Sequence, residues 1–381
     1  MANDHIIVCA SIANMEESVL LNKIREIFDK NLIKFSFWGW NRNKLREQKD
    51  YSVKHLWKGG GFSNKLLILH YPFWLIMVFF NALTLPRKSL ILAVSLDVAL
   101  PIYLVSIFKN IKYVFYNPDN FSLTYNLNGL TKKIIEFLEK KVAHKAVYHI
   151  IPESSRFSGN QDNILIYPNF PLESEITKAK LLFQDGKIDG INLNHLKTEH
   201  RLKIYINGRI TFHRGSEWIA DVLEELDPNK YLIIIAGYIY CDKLKTTLKG
   251  LPNVISFSRL VNYKALSLYY YADLVFAFYD PILPINRKAA PNKWWDCVSC
   301  KIPFVSNLGI ETLQPFIDKN ACFYIPYNDK TALLDLLDSI NNDRKQLRVI
   351  SERLSYFKVS SFDKNIDRLL TYIRKYYHNE Q

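Results

Sequence analysis

The chain has 381 residues, of which 49% are apolar and 14% aromatic, with only 13 glycines. That length favours two domains of comparable size, and the composition excludes collagen, coiled coil, disulfide-stapled peptide and disordered tail. Fifty Lys plus Arg against 37 Asp plus Glu give a formal charge of +13, which points to an anionic partner: nucleic acid, a phosphate-bearing small molecule or an acidic membrane surface. Five scattered cysteines fit a reducing compartment, and the opening MANDHIIVCAS lacks the pattern of a signal peptide. The expectation is a cytoplasmic protein.

Apolar runs of strand length alternate with segments of helical period from end to end, the pattern of an α/β chain whose parallel sheets are covered on both faces. In the first half, strands are predicted at HIIVCAS (from His5), FSFWGW (from Phe35), SLILAVS (from Ser89), KYVFYN (from Lys112), AVYHIIP (from Ala146) and NILIYPN (from Asn163). Helices such as EESVLLNKIREIFDK and LTKKIIEFLEKKVAHK lie between them. Leu66 to Leu85 is long and apolar enough to cross a membrane, but His70, Pro72 and Asn81 interrupt it, so it reads as a buried or interfacial helix. Lys54, His55, Lys58 and Lys65 precede it and Arg87-Lys88 follow, which suits peripheral association with the inner face of a membrane. The polar stretch from Glu173 to His200 reads as a connection. A second series follows in RLKIYINGR, KYLIIIAG, NVISFS, DLVFAFYD, IPFVSN and CFYIP, before a last helix from Asp363 to about Tyr377.

The expected organisation is a Rossmann-like domain over 1–170, a connection over 171–200, a second Rossmann-like domain over 201–358, and a helix over 359–381 that packs back on the first domain. Two doubly wound domains in tandem face a cleft, and their ligands bind at the carboxyl ends of the strands.

Two segments carry the chemistry. In INGRITFHRGSEWIADVLEEL, from Ile206, a strand ends at Gly208-Arg209 and Arg214-Gly215 leads into a helix with Ser216 or Glu217 in its first turn. Free helix amides and two arginines five positions apart make a metal-independent diphosphate site. In AAPNKWWDCVSCKIPFVSN, from Ala289, Pro291-Asn292-Lys293 opens a helix and Asp296 is expected in its first turn, where an acid can take the two hydroxyls of a ribose.

Together these segments resemble the donor-binding domain of retaining GT-B glycosyltransferases of family four, the glycosyl transferases group 1 type. Its members carry a Gly-Arg strand end followed by Lys-Gly or Arg-Gly, and later a Pro-rich loop into a helix. The matching residues are Gly208, Arg209, Arg214, Gly215, then Pro291, Lys293, Asp296 and Pro303. Between them Gly237 stands at the usual glycine, and the loop from Ser258 through Leu260 to Val261 at the position that meets the base. In the first half, KYVFYNPDNF resembles the family's strand ending in an acidic loop, with Asp119 at the matching place.

The resemblance implies an enzyme that moves a sugar from a nucleotide-diphosphate donor to a glycan or lipid-linked glycan, with retention and without metal or other cofactor, in surface polysaccharide biosynthesis. It implies that Arg209 and Arg214 hold the diphosphate as catalytic residues and that Asp296 holds the ribose. Gly208, Gly237, Leu260, Val261, Pro291, Asn292 and Lys293 complete the donor site, and Asp119 lies near the acceptor or the donor sugar. Lys288 stands where many members have a Glu that contacts the donor sugar, so Arg287-Lys288 is expected to meet the diphosphate or an anionic sugar instead.

Other motifs read as structural. Cys297-x-x-Cys300 has no second pair, Gly59-Gly60-Gly61 lacks a completed phosphate-loop motif, and Trp294-Trp295 and Tyr269-Tyr270-Tyr271 read as core. Among His5, His55, His70 and His213, the last stands out by its place between the arginines. The rival readings are a non-hydrolysing sugar-nucleotide epimerase of the same fold and a basic nucleic-acid binder. No nucleic-acid motif or basic stripe supports the latter.

Overall fold

A computed structural model describes residues 5–42, 51–61, 64–125, 127–157, 162–357 and 362–378. Its contacts divide the chain into two units, Met1–Pro168 with Asp363–Gln381, and Asn169–Phe362.

In the first unit, β1 (His5–Ala10), β2 (Lys34–Asn41), β3 (Ser52–Lys58), β4 (Leu90–Val94), β5 (Lys112–Tyr116), β6 (His149–Ile151) and β7 (Ile164–Ile166) form one parallel sheet in the order β3-β2-β1-β4-β5-β6-β7. The helices are α1 (Val19–Lys30), α2 (Asn64–Thr84), α3 (Leu96–Phe108), the single turn α4 (Phe121–Thr124) and α5 (Gly129–Lys145). Strand β3 went unread because SVKHLWK is a half-exposed edge strand carrying Lys54, His55 and Lys58, and so looks like a polar linker. Helix α2 occupies the long apolar segment. Trp74, Val78 and Ala82 are fully buried on its inner side; the Trp74 ring stacks on Trp40 at 5.6 Å and its Nε1 donates to Asp97 Oδ2 at 3.3 Å. Burial raises the Asp97 carboxyl above its ordinary range.

The second unit begins with α6 (Glu173–Asp185) and a hairpin of β8 (Lys187–Ile188) and β9 (Ile191–Asn192). Then come β10 (Leu202–Ile210), α7 (Ser216–Glu225), β11 (Tyr231–Ile239), α8 (Asp242–Gly250), β12 (Val254–Phe257), α9 (Asn262–Tyr269) and β13 (Leu274–Phe276). After α10 (Pro284–Arg287) and α11 (Asn292–Cys300), β14 (Phe304–Asn307), α12 (Gln314–Asp318), β15 (Phe323–Ile325), α13 (Lys330–Asn342) and α14 (Lys345–Leu354) complete it. The six long-range strands form a parallel sheet in the order β12-β11-β10-β13-β14-β15.

The stretch read as a connection is therefore folded, and belongs to the second unit. Glu175 takes the Leu172 amide at 3.0 Å, and its other oxygen accepts from Asn262 Nδ2 at 2.8 Å, which ties α6 to α9. Only Glu175 and Ala179 of α6 are fully buried, so its sequence shows little apolar periodicity. At the end of the chain, α15 (Phe362–Asn365) leads to α16 (Asp367–His378), which belongs with the first unit: Tyr377 Oη donates to His5 O at 3.0 Å, and Tyr372 meets Tyr148 edge-on at 5.5 Å.

Two glycines set the end of the second sheet. Gly208 and Gly237 are register partners on β10 and β11, with φ of +85° and +136°. A Cβ on Gly237 would lie 2.0 Å from the Gly208 carbonyl oxygen, whereas one on Gly208 would meet nothing nearer than Lys293 Cε at 3.8 Å. Gly237→Ala is thus expected to cost about 2–3 kcal/mol of stability through strain and backbone clash, read as a lowered midpoint in denaturant unfolding, and Gly208→Ala distinctly less.

Candidate functional site

The strand order of the second sheet reverses between β10 and β13, and in doubly wound sheets ligands collect outside the carboxyl ends of the strands at such a reversal. After β10 the chain makes one turn of 3-10 helix (Phe212–Arg214) and enters α7 through Gly215, held left-handed at φ +78°. A Cβ there would strike Trp218 Nε1 at 2.5 Å, so the turn into α7 needs glycine.

That turn places Arg214 with its guanidinium 4.0 Å over the ring of Tyr279, which follows β13. Arg214 Nη1 is buried without a hydrogen-bond partner among the described residues, and so is Ser216 Oγ on the first residue of α7. Two unpaired donors thus sit where helix amides and the dipole already favour an anion. From the other side comes Lys293, near the start of α11, its stem over Gly208. Burial, and after it the Arg214 guanidinium, pull the Lys293 ammonium down to about 7. Burial is the larger cause, and an anion bound at the end of β10 would offset it.

Asp296 departs from its expected place. Since α11 begins at Asn292, Asp296 falls in the second turn, buried, where Tyr269 Oη donates to its Oδ2 at 3.3 Å and Asn207 Nδ2 donates to Tyr269 at 3.1 Å. Pro291 is the N-cap of α11, and Asn292 is exposed.

Arg209 stands apart from Arg214. It is exposed, with its guanidinium 5.4 Å over Tyr240; Tyr240 neighbours Tyr238 at 6.3 Å, and Arg259 lies 5.8 Å over Tyr238. This exposed ladder of two tyrosines flanked by two arginines runs along the ends of β10 and β11 to the loop after β12. On that loop Leu260 is half-buried and Val261, the N-cap of α9, is exposed. Lys288 caps the short α10 and is half-buried, and Arg287 Nε donates to Pro281 O at 2.7 Å. Gly237 serves the packing of the two strands.

His213 Nδ1 lies 2.9 Å from Asp280 Oδ2, and the Asp280 amide donates to His213 O at 3.0 Å. A carboxylate that fixes one ring nitrogen leaves Nε2 to act. In the first unit, buried Arg156 pairs with Asp119 at 3.0 Å and also donates to Pro118 O, while the Asp119 carboxylate stays largely exposed. Cys297 and Cys300 are buried free thiols raised by burial, Cys300 to about 12. No group of three or more His, Cys, Asp or Glu side chains that could hold a metal occurs among the described residues.

Sequence reading missed Tyr279, Asp280, Arg156 and the Tyr238, Tyr240 and Arg259 ladder. The ladder had a signal: Tyr-x-Tyr at the end of a strand puts both rings on one face.

No family model matches the sequence, and no match is found among curated proteins. Solved structures do match. Sucrose-phosphate synthase from Thermosynechococcus elongatus superposes with a TM-score of 0.67 at 11% identity, over 98% of this chain and 99% of that one. The HepE protein of Anabaena, solved with UDP-glucose, gives 0.65 at 14% identity, over 96% and 99%. A UDP-N-acetylglucosamine 2-epimerase gives 0.60 at 8%, over 98% and 96%. With its two parallel doubly wound sheets of seven and six strands, the chain has the GT-B fold. At such identities the likeness is one of fold, and function rests on the site.

The crowding of Lys293 has a sign that can be checked. Its folded value near 7 lies below that of a lysine in an unfolded chain, about 10.4. Between these values the unfolded state holds more protons, so this group's contribution to stability rises with pH and its full cost is present below 7. Thermal unfolding of Lys293→Met without ligand should therefore show a gain over the parent at pH 6 that shrinks toward pH 10.

Proposed function

We propose that this protein transfers a sugar from a nucleotide-diphosphate sugar to a glycan or lipid-linked glycan acceptor. The observation that carries the reading is the pair of unpaired donors, Arg214 Nη1 and Ser216 Oγ, at the mouth of α7 with Lys293 opposite. A diphosphate accepts from both donors and, by its charge, favours the Lys293 ammonium, which takes its proton from water. In the reaction the same groups stabilise the charge that grows on the leaving diphosphate, the work a divalent cation does in other sites. Arg209 and Lys288 extend this positive rim, Lys288 also suiting an anionic sugar. Tyr238, Tyr240 and Arg259 offer flat faces for a nucleobase beside Leu260 and Val261. Gly208 leaves room under Lys293, Pro291 and Asn292 bring the amides of α11 to the phosphates, and Asp296, buried against Tyr269, steadies α11 beneath them.

Asp119, oriented by Arg156, serves the acceptor or the donor sugar. The family resemblance supports retention and a role in surface polysaccharide biosynthesis, and the scattered free cysteines support a cytoplasmic setting. The structure of HepE with UDP-glucose supports the donor class. One observation favours a second reading: His213, held by Asp280 next to Arg214, is an acid-base pair of the kind that epimerisation of a sugar nucleotide needs.

Incubation with labelled sugar nucleotides and glycan acceptors, in the presence of EDTA, should release nucleoside diphosphate and label the acceptor. Arg214→Ala should lower kcat/KM by about ten- to a hundredfold, the loss of one charge-assisted contact of roughly 1.5–3 kcal/mol. Epimerised donor with no transfer would establish the second reading, and neither binding nor turnover of any sugar nucleotide would refute both.

A further inference from the structure

We infer that the outer face of helices α2, α3 and α5 is a docking surface for an anionic lipid bilayer, on which the protein lies without crossing it. Helix α2 is apolar on two opposite sides. Its inner side, Trp74, Val78 and Ala82, is locked into the core. Leu69, Phe73, Ile76, Phe80 and Leu83, spaced four and three residues apart, form a single outward stripe more than a third exposed. The stripe is rigid, because Phe73 stacks flat on Trp57 at 5.2 Å.

The neighbouring helices continue it. Helix α3 packs against both α2 and α5, and Phe79 meets Phe108 at 6.5 Å across the α2–α3 seam. Outward from α3 stand Leu104, Ile107 and Phe108, the last 65% exposed; outward from α5 stand Leu130, Ile134 and Phe137 at the same helical spacing. Monomeric soluble proteins rarely leave so many large side chains exposed on adjacent helices, and such a face marks an interaction site.

Charge identifies the occupant. The three helices carry three carboxylates: Asp97 and Glu139 are buried, and Glu136 is half-buried beside Lys132 at 4.0 Å. Lys133, Lys140 and Lys141 on α5 are exposed, as are Arg87 and Lys88 just beyond α2. An apolar face with an exposed cationic border and almost no acid fits anionic headgroups over acyl chains. Although α2 holds an 18-residue window long and apolar enough to span a bilayer, crossing would require tearing Trp74, Val78 and Ala82 from the sheet, so the helix lies in the interface. The inference does not depend on the reaction the protein performs.

The full chain should co-sediment with vesicles of phosphatidylcholine and phosphatidylglycerol, bind pure phosphatidylcholine vesicles at least about tenfold more weakly, and be released from the anionic ones by high salt. Arg87→Glu with Lys88→Glu should lower anionic-vesicle affinity by about tenfold or more. Ile76→Ser with Phe80→Ser should abolish it, with circular dichroism showing the fold retained, since both side chains are about half exposed. Should these variants misfold, the salt dependence of the parent alone decides. Absence of binding to anionic vesicles at low salt overturns the inference, as does a dimer in light scattering that Ile76→Ser with Phe80→Ser dissolves while vesicles go unbound.

Discussion

The site of the second unit turns on a cation that burial disfavours. Arg214 arrives from the turn after β10 and Lys293 from the start of α11, and burial with the neighbouring guanidinium draws the lysine down to about 7. Folding alone gains nothing from pressing two cations together in a partly desolvated corner. Their partners point the same way: the Arg214 plane is held by the Tyr279 ring and not by a carboxylate, and its Nη1 is left with nothing to donate to. The strain makes sense as preorganisation, paid on folding and recovered when an anion arrives.

The local architecture serves that corner. Gly215 turns the chain sharply enough to aim the mouth of α7 at it, and Gly208 keeps the end of β10 bare below Lys293. Asp296, Tyr269 and Asn207 form a buried hydrogen-bonded chain that anchors α11 from beneath. The acid thus steadies the helix that carries Lys293, whatever it does for a ligand. In the first unit the comparable feature is α2, whose inner aromatic side fixes it to the sheet and leaves an equally apolar side outward. The excess of positive charge in the sequence has two addresses in this account, the corner at β10 and the border of the helical face.

Much of this was legible in the chain. Twelve of the strands of the two large sheets announced themselves as apolar runs, the central ones because parallel strands are buried on both faces. The one that did not, β3, is an edge strand that carries Lys54, His55 and Lys58, and α6 was hidden for the related reason that it buries so little of itself. At the site, glycine and arginine spacing brought Gly208, Arg214 and Lys293 into view. It could not separate Arg209 from Arg214, since β10 runs on through Ile210 and carries Arg209 to Tyr240 instead. The pairings of Arg214 with Tyr279 and of His213 with Asp280 join residues more than sixty positions apart, and only the strand order brings them together.

The central claim is that the corner between β10, α7 and α11 holds a diphosphate. The most direct measurement is a crystal structure of the protein with an intact sugar nucleotide. The account predicts diphosphate oxygens within hydrogen-bonding distance of Arg214 Nη1, Ser216 Oγ and Lys293 Nζ. A sugar nucleotide bound with its diphosphate elsewhere, and with Arg214 and Lys293 still facing each other across an empty corner, would contradict it.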